Sequence, residues 1–233
     1  MLYATISADI VDSTKMTAED TIRMSQLLKD FLKPMKTASE GSWGRVVKGD
    51  AFECVLLTPS DLLRVALMLK CYVKMFVPED ANPEFSKYGI RIAMAVGELR
   101  TSDEQLGIID GDAIYRTGRA MEEKRPNARG TMMYCNEGPE ADAVKAIVAL
   151  CDVVINKSTS KQCEVLFNKL CGKDEAWMAT AMGKSRPTIN AHSQKAGWGA
   201  IERAVKYFES ICFDSYRIES AHQPTESKNS FIK

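Results

Sequence analysis

Leu2-Tyr3-Ala4-Thr5-Ile6-Ser7-Ala8-Asp9-Ile10 is the stretch on which the fold turns. It is rich in β-formers and almost wholly apolar, which predicts a strand covered on both faces. Asp9 alone breaks it, just before the Asp12-Ser13-Thr14 loop. A buried carboxylate without a partner costs several kcal/mol, so Asp9 asks for a partner or a ligand.

Working outward, Thr17 with Asp20 three residues later predicts a helix start. Met24, Leu27, Leu28, Phe31, Leu32 and Met35 supply that helix's apolar face. Residues 46–47 and 52–57 read as two strands joined tightly through Lys48-Gly49-Asp50. Ser60 is placed to cap a second helix reaching about Val77, with a loop over 78–83. A strand over 90–96, a helix over 111–124 and a strand over 131–135 complete the order β-α-β-β-α-β-α-β. That order contains a split β-α-β, ferredoxin-like core with one further α-β unit.

The second connection brings Asp50 towards Asp9 if the first strand lies beside that hairpin. Two carboxylates at one sheet edge are hard oxygen ligands suited to Mg²⁺ or Mn²⁺, with a nucleotide phosphate completing the coordination. The backbone amides of residues 11–14, with Val11, Ser13 and Thr14, are expected to cradle that phosphate. Asp50 and Asp12 have a plainer reading too, as turn and loop residues.

Four short motifs then resemble, in order, those of class III nucleotidyl cyclases. They are Asp9-Ile10-Val11-Asp12-Ser13-Thr14, Gly49-Asp50-Ala51-Phe52, the stretch from Arg91 to Glu98, and the stretch from Gly111 to Arg119. The resemblance implies Asp9 and Asp50 as metal ligands, the Ile10 carbonyl as a third, Lys48 near the base, and Arg119 reaching a partner chain's triphosphate. In an active cyclase Asp9, Asp50 and Arg119 would carry the chemistry. The chain departs from that pattern at three places. Tyr115 stands where a ribose-orienting Asn belongs, Lys48 lies only two residues before Asp50, and Asp12 replaces a glycine. The same residues are also similar to the SatD-like family, through Ile10, Phe52 and the helix from Gly111 to Glu122. That family implies a regulatory, nucleotide-sensing role rather than a reaction.

Composition changes beyond about Asn156. The whole chain holds 31 Lys plus Arg against 31 Asp plus Glu. Residues 157–212, however, carry nine basic against five acidic side chains, and residues 1–156 nineteen against twenty-three. After a polar entry over 156–162 and a helix over 163–170, residues 174–196 resemble a helix-turn-helix. Ala179 is the small residue at the helix crossing, Gly183 takes the turn, Pro187 sits in the second helix's first turn, and Ile189 is its buried anchor. Lys184, Ser185, Arg186, Thr188, Asn190, His192, Ser193 and Lys195 are then the expected contacts to double-stranded DNA. A helical hairpin used for packing or dimerisation is the alternative. A last amphipathic helix over 199–213 is expected either to brace the unit or to pair two chains.

Gly183-Lys184-Ser185 lacks the upstream glycine and strand of a phosphate-binding P-loop. Seven scattered cysteines without a C-x-x-C pair, and only two histidines, offer no zinc site. The start of the chain shows no basic-then-apolar leader, and the longest clean apolar run, 146–151, is far below the roughly 20 residues of a membrane helix. A cytoplasmic protein with reduced thiols is expected. The expected class is thus α+β: a cyclase-like, ferredoxin-like domain over 1–150, an all-α helix-turn-helix domain over 157–213, and a flexible polar tail over 214–233. The expected function is a homodimeric DNA-binding transcriptional regulator whose sheet domain senses a nucleotide or metal, or dimerises. The alternative is an active nucleotidyl cyclase using two metals.

Overall fold

A computed structural model describes residues 1–78, 88–123 and 131–213. The proposed loop over 78–83, apart from Pro78, the polar tail, and His222 lie outside the described residues.

Strand β1 (Leu2–Ile10) is central, pairing antiparallel with β3 (Ala51–Leu56) on one side and β4 (Ile90–Asp103) on the other. Strand β2 (Trp43–Val47) joins the outer edge of β3, so the order across the sheet is β2-β3-β1-β4. Side chains alternate across a pleated strand, and Leu2, Ala4, Ile6, Ala8 and Ile10 fall on one face within the main core. Helices α1 (Ala18–Ala38) and α2 (Leu62–Lys74) supply that core through Met24, Leu28, Phe31 and Met35, and through Leu63, Leu67 and Cys71. The Thr17 side chain caps α1 by accepting from the Asp20 amide at 3.1 Å, as its spacing predicts.

Three boundaries differ from the sequence expectation. Ser60 does not cap α2. A 3₁₀ turn over Pro59–Asp61 intervenes, Asp61 precedes the helix, and the helix ends at Lys74 rather than near Val77. Strand β4 runs on to Asp103 and folds back as β5 (Ile108–Gly111), an unforeseen hairpin. Helix α3 (Asp112–Glu122) follows, and β6 (Met132–Tyr134) returns parallel to β4 through Ile92–Met94.

Helix α3 crosses the opposite face of the sheet. The Ser7 and Thr117 hydroxyls meet at 2.8 Å, and a Cβ at Gly97 would lie 2.8 Å from Asp112 Oδ2, so glycine lets the start of α3 sit on β4.

Helices α4 (Pro139–Asn156), α5 (Ser160–Leu170), α6 (Glu175–Ala181), α7 (Arg186–Lys195) and α8 (Trp198–Glu209) complete the described chain. Position 150 lies inside α4. Cys163, Leu166 and Leu170 of α5, with Ile201, Val205 and Phe208 of α8, belong to the same core cluster as the sheet residues. Three polar links reinforce this union. Arg64 binds Glu209 at 2.6 Å and the Leu170 carbonyl at 3.0 Å, while Lys74 donates to the Asn156 carbonyl at 3.1 Å. Deepest is the Lys70–Asp152 ion pair at 2.5 Å, each side chain 1% exposed. Burial pushes the Lys70 ammonium below its ordinary range, and Asp152 opposes that shift.

Valine 165, Met178 and Ile189 form a second, small cluster between α5, α6 and α7. None of the seven cysteines forms a disulfide. Among the described residues no helix is long and apolar enough to cross a membrane.

Candidate functional site

Antiparallel register sets Asp9 opposite Ala51 on one neighbour and opposite Arg91 on the other. The Ile10 amide donates to the Asp50 carbonyl at 3.1 Å, which brings the two aspartate positions to the same end of the sheet. The third member of this group, Arg91, was not foreseen. Its Nε donates to Asp9 Oδ1 at 2.8 Å, and its Nη2 binds Oδ2. Asp9 is therefore half-buried and paired, not the orphaned carboxylate its sequence context suggests. The bond to Asp9 holds the Arg91 guanidinium above its usual range. The signal was present in the sequence, since Arg91 is the basic residue at the entry of an otherwise apolar strand.

This donor set does not fit a two-metal centre as it stands. Both Asp9 oxygens are engaged by a cation, and among the described residues no three or more His, Cys, Asp or Glu side chains converge as metal ligands. The backbone amides expected to cradle a phosphate are also partly used. The Val11 amide is spent on the Gly89 carbonyl at 2.9 Å, and a short 3₁₀ turn over Ser13–Lys15 separates it from α1. Asp12 adopts φ 59°, the left-handed conformation that glycine takes most cheaply and Asp tolerates, and it pairs with Lys15 at 3.0 Å. Lys48, at φ 52°, is exposed at the hairpin tip.

On α3, Tyr115 is exposed and its hydroxyl binds Asp110, whose carboxylate also holds Arg100. That bond raises the Tyr115 phenol above its usual range. Arg119 is exposed, with its Nε donating to the Tyr115 carbonyl at 3.4 Å.

The second candidate surface is built by α6, a four-residue connection over 182–185, and α7. Asp174 accepts from the Trp177 amide at 2.7 Å and Ser185 accepts from the Thr188 amide at 3.3 Å, so both helices are capped by their own sequence. Gly183 takes φ 60° in the connection, and the Lys184 amide returns to the Ala179 carbonyl at 3.0 Å. Ile189 is fully buried against Val165 and Met178, with Ala179 packed alongside.

Lys184, Ser185, Arg186, Asn190 and Lys195 are exposed, and Thr188 and His192 are half-buried. Ser193 is buried, because it falls four residues after Ile189 on the inward face of α7, and it is removed from the contact set. Asn190 is partly committed. It donates to Glu175 at 3.3 Å and accepts from Gln194 at 2.9 Å. Glu175 also binds Lys169 at 3.1 Å, so one carboxylate ties α5, α6 and α7, and the Lys169 bond chiefly lowers its pKa. Gln194 and Ala191 lie on the same exposed face, which helical spacing identifies.

No family model and no curated protein matches the chain. Two solved structures similar to parts of it are both bacterial light-regulated adenylyl cyclases. One is 15% identical, with a TM-score of 0.39, over 57% of this chain and 74% of the cyclase. The other is 14% identical, with a TM-score of 0.42, over 60% of this chain and 46% of the cyclase.

Proposed function

We propose that this protein is a DNA-binding regulator that places α7 in the major groove. The helix-turn-helix reading rests on one observation: a capped helix pair presents Lys184, Arg186 and Lys195 on its exposed side while Ile189 anchors it from beneath. Arg186 and Ser185 stand at the N-terminal end of α7, the end that reaches base edges in such units, and the lysines suit phosphates. The sheet portion is assigned to nucleotide sensing or to pairing two copies, which would set two α7 helices about one DNA turn apart. The strand order β2-β3-β1-β4 with two helices on one face supports the ferredoxin-like, cyclase-like reading of that portion.

Fluorescence anisotropy with a labelled duplex selected from a random pool tests this. Wild-type binding should weaken as salt rises, and Arg186→Ala and Lys195→Ala should each weaken it further. Unchanged affinity in both variants removes α7 as the reading helix.

The cyclase alternative draws support from the shared sheet end of Asp9 and Asp50. Incubation with Mn²⁺ and each nucleoside triphosphate separates it. A cyclic product lost in Asp50→Ala favours the enzyme, and no product with any triphosphate rejects it.

A further inference from the structure

An open groove of about 620 Å³ runs beside α7, walled on its far side by the first turn of α5. Lys161 and Gln162 line the α5 wall, and Thr188, Ala191, His192 and Lys195 line the α7 wall. No carboxylate lines it, in a protein whose acidic and basic side chains balance. The capping box on α5 uses two of its four terminal amides: Thr159 Oγ1 accepts from the Gln162 amide, and Gln162 Oε1 accepts from the Thr159 amide. The amides of Ser160 and Lys161 remain without an acceptor among the described residues, at the positive end of the helix dipole. Cationic side chains on two walls, with these amides at one end, make the groove complementary to a polyanion. Because Thr188, His192 and Lys195 of its α7 wall also belong to the face assigned to DNA, one ligand can span both.

We infer that this groove seats the sugar-phosphate backbone of the same DNA that α7 reads, with Lys161 as a phosphate contact supplied by α5. The inference rests on the DNA-binding reading and adds a second helix to the interface. Phosphate contacts fix register without reading sequence, so Lys161 should act equally on every duplex, unlike Arg186. Lys161 now pairs with Glu164 at 2.9 Å on an exposed surface, a weak tie that a phosphate can replace.

The test uses the full chain with a selected duplex and a scrambled one, each across a salt series. Lys161→Ala should weaken both by a similar factor, about three- to tenfold, and reduce the slope of log affinity against log salt by about 0.9, the value for one phosphate contact. Lys161→Glu should weaken both further, and Glu164→Gln, which frees Lys161, should tighten both. Circular dichroism should match wild type in all three, since Lys161 is exposed, Glu164 is half-buried and neither belongs to the core.

If Arg186→Ala weakens binding while Lys161→Ala leaves affinity and slope unchanged, the groove is empty in the complex and this inference falls alone. If Lys161→Ala weakens the selected duplex and spares the scrambled one, its backbone role is overturned. Inorganic phosphate that perturbs the Lys161 and Lys195 amide signals, with DNA affinity untouched by Lys161→Ala, overturns it in favour of a small-anion site. A wild-type protein that binds no duplex overturns the DNA reading and the inference together.

Discussion

Replacing Lys70 by Met and Asp152 by Asn, singly and together, should yield a double variant more stable than either single one. The two side chains meet at 2.5 Å with 1% exposure each, between α2 and α4. Asp152 also accepts from the Thr131 amide at 2.6 Å and from the Thr131 hydroxyl at 2.7 Å, and Lys70 donates to the same hydroxyl. Removing one partner of a buried pair costs about 3–5 kcal/mol, because the survivor keeps a charge out of water. In Lys70→Met the carboxylate retains both Thr131 bonds, which puts that loss near the lower limit, about 3 kcal/mol. In Asp152→Asn the ammonium keeps Thr131 Oγ1 and loses its counter-charge, so that loss sits near the upper limit, about 5 kcal/mol. The double variant buries no charge, and Asn can still bond Thr131 through its amide, leaving a cost of about 1–2 kcal/mol. Urea unfolding followed by circular dichroism reads all four proteins, with midpoints compared at constant slope. Additive losses, or a Lys70→Met cost under about 1 kcal/mol, would refute the claim that the pair is buried and mutually dependent.

Other consequences are simpler. Gly183→Ala meets no atom within 4 Å at its new Cβ, so its cost is the left-handed backbone alone, about 1–2 kcal/mol, felt as faster amide exchange in α6 and α7. Gly97→Ala should instead lower the thermal midpoint of the whole protein slightly, since its Cβ would displace the Asp112 carboxylate, 2.8 Å away, and meet the Ala113 amide nitrogen at 3.3 Å, so that the start of α3 must give by a few tenths of an ångström. The Glu175 pKa is depressed below its ordinary 4.5 by Lys169 first, so its stabilising contribution is complete above that value and fades as pH falls through the folded-state pKa. Exchange protection of α6 and α7 between pH 6 and pH 3 should therefore drop more in wild type than in Glu175→Gln.

Much of this architecture was legible from local chemistry. Thr17 and Ser185 cap helices because a hydroxyl before a helical run meets an orphan amide, and that requires no tertiary knowledge. Gly183 and Ile189 could likewise be placed, since a left-handed turn and an apolar residue on a polar helix each have few alternatives. What escaped depended on partners distant in sequence. Arg91 meets Asp9 only because β4 and β1 pair in one register, which a basic residue at the entry of an apolar strand does not by itself specify. Ser193 looks polar and exposed in sequence, yet lies one helical turn beyond Ile189 and turns inward. The β4–β5 hairpin was missed although Gly107 and the β-branched pair Ile108-Ile109 follow Asp103, whose carboxylate accepts from the Leu106 amide at 2.9 Å to close the turn. Ser60 failed as a cap because Pro59 fits the first position of a tight turn and started a 3₁₀ segment ahead of the helix.

Helix α5 packs on both hydrophobic clusters of the molecule. One face of this helix, through Cys163, Leu166 and Leu170, is part of the large core shared with α2 and the sheet. Val165, on another side, closes the small cluster under α7 with only Met178 and Ile189 fully buried beside it. Local stability follows buried apolar contact, so the α6–α7 pair opens at a lower free energy than the sheet while α5 stays with the sheet. Lys169 and Glu175 are the polar counterpart of that arrangement, a surface link from the stable helix to the labile pair. The neutral charge of the whole chain conceals an uneven distribution: the basic excess belongs to residues 157–212, which hold α5 to α8, and the acidic excess to residues 1–156.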